Sequence, residues 1–199
     1  MNIGSARRCL TPQTEEVYLI GYRNLENRLH PATGIYDDVF GNALYFEDGG
    51  KELFVFSCDF MEIDEGTAED AKTLLHDRYG IDRDCVLLCA THNHTTVVAY
   101  HRTWWTGKFD QEYYDWYLET VASAFEECRA NARPATQIMI DTYMAALGFE
   151  KTSSEGRFSN KTYEVWDLVP RNVLVDVEGD IFVVDAEIKN LCDSTEINI

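Results

Sequence analysis

The run Cys85-Val86-Leu87-Leu88-Cys89-Ala90 constrains the fold most. Six apolar residues in succession predict a strand buried on both faces, the kind found in parallel and mixed sheets. Upstream, Glu52-Leu53-Phe54-Val55-Phe56-Ser57-Cys58-Asp59 reads as another strand. Between the two, Thr67 to Tyr79 places apolar residues at 68, 71, 74, 75 and 79, which is helical spacing, with Gly80 as a stop. Strand, helix, strand in that order predicts a β-α-β unit.

The remaining segments fit around this unit. Asn2 to Leu10 reads as a short strand, and residues 11 to 41 as a long loop punctuated by proline and glycine. Asn42 to Glu47 is a strand that returns through Asp48-Gly49-Gly50-Lys51 as a hairpin. Asp110 is placed to cap a helix running to about Ala130. Ile138 to Leu147 reads as a strand and 148 to 162 as a polar surface connection. Val173 to Val177 and Ile181 to Val184 then form a second hairpin. The expectation is an α/β fold: a single domain over 1–199, with a mixed β-sheet flanked by helices.

Composition narrows the partners. A formal net charge of -18 excludes binding to nucleic acid by general phosphate attraction, which needs a positive face. It equally disfavours an anionic membrane surface. No stretch reaches the length of a membrane span, and Met1 to Arg8 lacks the apolar run of a secretory signal. None of the six cysteines forms a C-x-x-C pair, so zinc-knuckle and dithiol motifs are unsupported. Reduced thiols and a cytoplasmic location are expected.

The chemistry concentrates after the buried strand, in Thr91-His92-Asn93-His94. If extended geometry continues, residues 92 and 94 share a face. Such a pair chelates one divalent metal, or one histidine binds metal while the other hydrogen-bonds substrate. Two structural histidines are the plainer alternative. Asp59 closes the neighbouring strand and could be a third ligand, could orient an imidazole, or could cap a turn. Asp37 and Asp38, in the early loop, could face the same site or form a solvated turn. Trp104 and Trp105 follow the histidines closely and would make an apolar, substrate-binding wall if exposed there. His30 and His76 read as surface residues, and the role of His101, nearer the motif, stays open. There is no G-x-S-x-G elbow, Gly-rich phosphate loop or dinucleotide fingerprint.

The order of several short segments carries a resemblance. They are Ile3-Gly4-Ser5-Ala6, Leu10-Thr11-Pro12, Ile20-Gly21-Tyr22, Gly34-Ile35-Tyr36-Asp37-Asp38-Val39-Phe40-Gly41-Asn42-Ala43-Leu44, the strand ending at Asp59, and Ala90-Thr91-His92-Asn93-His94. Over roughly the first hundred residues this resembles the N-terminal part of the neutral/alkaline non-lysosomal ceramidases. The resemblance implies a zinc-dependent amidase acting on a small-molecule or lipid-like amide. It implies His92 as a zinc ligand and His94 as a catalytic or substrate-binding residue. The chain departs from the family at Thr95-Thr96, where the family has Ser-Gly, at Tyr36 for a histidine, and at Asn42 for an arginine. The family's other zinc ligands lie downstream, and this chain has no histidine after His101. A non-catalytic binding relative, or a site completed by another chain or across a homo-oligomer, are the alternatives.

Overall fold

In a computed structural model of the chain, Gly49 and Gly50 take φ values of 58° and 81°. These are the left-handed conformations a two-residue hairpin turn demands. The turn joins β2 (Phe40–Asp48) to β3 (Lys51–Cys58) in antiparallel register from Gly41 opposite Cys58 to Asp48 opposite Lys51. The structure describes all residues except 14–15, 21–29, 98–108, 154–155, 176–180, 184, 192–195 and 199. Two compact units divide the chain, Met1–Ala132 and Arg133–Ile199.

In the first unit, β1 (Asn2–Cys9) pairs antiparallel with β2 along its whole length. On the other side β3 pairs in parallel with β4 (Val86–Ala90), giving the order β4-β3-β2-β1. The crossover between β3 and β4 carries α1 (Glu65–Tyr79), so the expected β-α-β unit is present. The helix starts two residues earlier than its apolar spacing indicates, because Asp64 caps it by accepting from Thr67 N at 3.0 Å. Gly80, at φ 76°, ends it by donating to His76 O. Asp110 caps α2 (Gln111–Ala130) in the same way through Tyr113 N.

One face of the sheet packs on α2. Tyr113, Tyr117, Val121, Ala124, Phe125 and Cys128 recur at three- and four-residue intervals, and all are buried against Tyr45, Phe54, Phe56 and Cys58. Phe125 meets Phe54 edge-on with ring centroids 5.2 Å apart. The strand expected to be buried on both faces is not. Val86 is 1% exposed on the helix side, whereas Leu87 is 52% exposed on the other. In the first unit the helices α1 and α2 belong to one side of the sheet, and the apolar residues of β4 alternate between that core and an open face.

The second unit opens with the two-residue β5 (Arg133–Pro134) and α3 (Ala135–Ala146). Residues 138–147, read from sequence as a strand, are therefore mostly helical. The β-branched Ile138, Ile140 and Thr142 mimic two-residue alternation, but Ile140 and Met144, one helical turn apart, are the positions that bury. Gly148, at φ 80°, follows the helix end. The polar stretch read as a surface connection contains β6 (Glu150–Ser153) and β7 (Arg157–Ser159), whose one strong apolar signal is Phe158 at 1% exposure. These pair with β8 (Tyr163–Trp166), β11 (Glu187–Asn190) and β12 (Glu196–Asn198) in the order β12-β11-β8-β7-β6. The expected second hairpin is present as β9 (Val173–Val175) and β10 (Ile181–Val183). The α/β expectation holds. Among the described residues no helix is long and apolar enough to cross a membrane.

Candidate active site

Because β3 and β4 run parallel, with Cys58 opposite Ala90, their carboxyl ends release Asp59 and Thr91 side by side. This is the end of an open α/β sheet at which sites form. Pairing continues past the strands: Thr91 N donates to Cys58 O at 3.0 Å, and Asn93 N donates to Phe60 O at 3.0 Å. Between these anchors His92 takes φ 63°, the left-handed region that costs a residue with a Cβ roughly 1–2 kcal/mol. The two imidazoles converge through this bend rather than through continued extended geometry.

His92 Nδ1 lies 2.9 Å from Met61 O. A carbonyl only accepts, so Nδ1 carries the proton and Nε2 presents its lone pair. His94 Nε2 stands 3.3 Å from His92 Nε2, and the rings are nearly perpendicular at 89°. Zinc binds imidazole nitrogen at about 2.0–2.1 Å, which places two ligands of a tetrahedral ion roughly 3.3 Å apart. An imidazole whose far nitrogen is fixed by a backbone carbonyl is also how metal-ligating histidines are commonly oriented. The pair therefore fits zinc chemistry either as two donors or as one donor, His92, with His94 beside the ion's open position. Among the described residues no group of three or more histidine, cysteine or carboxylate side chains converges to hold a metal.

Asp59 reaches the same sheet end but is engaged elsewhere. Its Oδ2 accepts from Phe40 N at 3.1 Å and its Oδ1 from Thr91 Oγ1 at 3.3 Å. It thereby ties together the ends of β2, β3 and β4. Cys58, directly before it, is fully buried, and burial pushes its thiol up to about 12. It is a neutral packing group and no nucleophile at neutral pH. Trp104, Trp105 and His101 lie outside the described residues.

The early loop comes to the site. Leu19 bridges Val97 and Ile20 N donates to Thr96 O at 2.8 Å. Asp38 accepts from Thr11 Oγ1, which in turn accepts from Val39 N. A cleft of about 1060 Å³ results, lined in part by Pro12, Tyr36, Asp37, Asn93 and Thr95. Asp37 and Asp38 do share a cavity with the segment that follows the histidines. Two polar atoms nearby in the chain have no hydrogen-bond partner among the described residues: Oγ1 of Thr96, a residue only 1% exposed that lines the cleft, and Oε1 of Glu62, next to Met61. No motif signals either one, since neither belongs to a spacing pattern.

The chain is similar to a ceramidase complexed with C2 and to the neutral ceramidase from Pseudomonas aeruginosa, each with a TM-score of 0.59 and 17% identity. The match covers 90% of this chain but 29% and 30% of those chains, so the chain spans about three tenths of their length. At this identity the likeness shows a ceramidase-like fold. No family model and no curated protein matches the sequence.

Proposed function

We propose that this chain carries part of a zinc-dependent amide-hydrolase site, ceramidase-like in plan, acting on a small-molecule or lipid-like amide. The observation that carries the reading is the 3.3 Å apposition of the two Nε2 atoms, with His92 Nδ1 held by Met61 O. In this reading His92 is a zinc ligand through Nε2. When bound, zinc would lower the pKa of a water and polarise the amide carbonyl. His94, whose Nε2 stands 3.3 Å from His92 Nε2, would be the residue to take or return a proton. Asp59, through Thr91 and Phe40, fixes the strand ends on which the histidines ride. Trp104 and Trp105 are the candidates to contact an acyl chain.

The histidine pair, which is at most half of a tetrahedral ligand set, also suits a second reading in which another chain supplies the other ligands. A scaffold without activity is the contrasting case. The test is hydrolysis of short-chain N-acyl amines by zinc-loaded protein. His94→Ala is expected to lower kcat by a factor on the order of 100 to 10,000 with KM little changed, the usual contribution of a positioned proton-transfer group. Equal rates for wild type and His94→Ala would remove the catalytic role. Activity that appears only on adding a second polypeptide would establish the completed-site reading.

A further inference from the structure

The sheet of the first unit has a second apolar face. On it, cross-strand register aligns Ile3, Phe46 and Leu53 in one row and Leu44, Val55 and Leu87 in the next. None of the six belongs to the core on the helix side, and Leu44 and Leu87 are 43% and 52% exposed. Between the strand ends, Arg7 is the one formally charged residue of this face, in a chain that is 26% charged. Its guanidinium lies over the Phe40 ring at 3.7 Å, which lays the charge flat against the sheet. A solvated antiparallel face ordinarily alternates to polar residues, and strands in parallel pairs are ordinarily covered on both sides. Depletion of charge with retention of aromatic and aliphatic residues is the signature of an interface core.

We propose that this face is where a second copy of the chain docks, sheet against sheet. Four strands about 4.8 Å apart, with about seven residues each at ~3.3 Å, present a patch of roughly 19 by 23 Å. Allowing for side-chain relief, two such patches bury roughly 1,300 Å² in total, within the range of stable interfaces. The two apolar rows are self-complementary, as a two-fold contact requires, and the next row, Arg7, Asn42, Ser57 and Cys89, forms a more polar margin on one side. Two copies each carrying -18 repel at long range, but that charge lies off the face and is screened over about 8 Å at physiological salt. The association therefore tightens as salt is added, whereas an ion-paired interface would loosen.

Sedimentation equilibrium of the full chain tests this. Wild type is expected at about twice the chain mass of 22.8 kDa, with a dissociation constant that falls between low and high salt. The double variant Leu44→Glu, Leu87→Glu is expected to weaken association at least ~100-fold, since two buried charges per copy would go unpaired. Both side chains are half-exposed, so far-UV circular dichroism should not change. Cys9 and Cys89 are exposed thiols on the same face, and their maleimide labelling should slow as wild-type concentration rises. Wild type sedimenting as a single chain at high concentration, a double variant that still dimerises, or labelling of Cys9 and Cys89 that ignores concentration would each overturn the proposal.

Discussion

Gly4→Ala is expected to destabilise the first unit by about 3–5 kcal/mol, at the upper end of overpacking costs. In most strand positions alanine in place of glycine is neutral or helpful. At Gly4 a Cβ would stand 1.8 Å from the backbone oxygen of Cys128 and 2.8 Å from Asn131 Oδ1. Backbone cannot swing aside as a flexible side chain can, so β1 and the last turn of α2 must separate. That separation also strains a paired contact, in which Asn131 Oδ1 accepts from Ser5 N at 3.2 Å while its Nδ2 donates to Ser5 O at 2.9 Å. Gly66→Ala is the matched control, because in α1 a Cβ meets nothing closer than Asp64 Oδ2 at 3.8 Å. It should stabilise by roughly 0.5–1 kcal/mol. Urea denaturation of both variants checks the pair, and equal behaviour would contradict the packing described for β1 on α2.

The second large effect is alkaline loss of stability. Burial pushes the Cys58 thiol from 9.0 to about 12 and raises the phenols of Tyr113 and Tyr117 well above 10.0. Tyr113 also donates to Leu10 O at 2.6 Å. Above the unfolded value of each group the unfolded chain releases its proton while the folded chain keeps it. Stability is therefore complete below pH 9 and falls as pH rises, by about 1.4 kcal/mol per pH unit for each such group. At pH 11 Cys58 has been two units past its unfolded value and each tyrosine one, for a loss on the order of 5 kcal/mol. That is comparable to the whole stability of many domains. Urea midpoints measured from pH 7.5 to 11 should drop steeply above 9. In Cys58→Ala the decline between pH 9 and 10 should be about half as steep, because only the buried Cys128 thiol, raised from 9.0 to about 11, then titrates there before tyrosine begins near 10. A midpoint that stays level to pH 11 would contradict the burial of these groups.

Much of the first unit is written locally. Asp48-Gly49-Gly50-Lys51 supplies both left-handed residues of its hairpin, and the caps Asp64, Gly80 and Asp110 act within four residues of themselves. The apolar run at 85–90 disclosed a strand but not which face stays open, because both faces are apolar. Helix α3 was read as a strand since Ile138, Ile140 and Thr142 satisfy both periods, and what decides is the burial of Ile140 with Met144. Similarly β6 and β7 are short and polar, held by cross-strand pairing that leaves little trace in composition.

The site shows the same division. The placing of Asp59 and His92 at neighbouring strand ends was legible from strand order. Spacing pointed to His92 and His94 sharing a face, but the bend that brings the rings together was not legible, since it depends on φ 63° at His92 and on Met61 O, and a carbonyl has no residue signature. The cleft was legible only as a long loop, and its walls come together through single backbone contacts such as Ile20 N to Thr96 O.

Zinc content, measured by mass spectrometry after loading metal-free protein and removing unbound ion, tests the histidine site most directly. The account predicts one zinc per chain for wild type, none for His92→Ala, and retention by His94→Ala. Wild type that holds no zinc, or His92→Ala that holds as much as wild type, would contradict it.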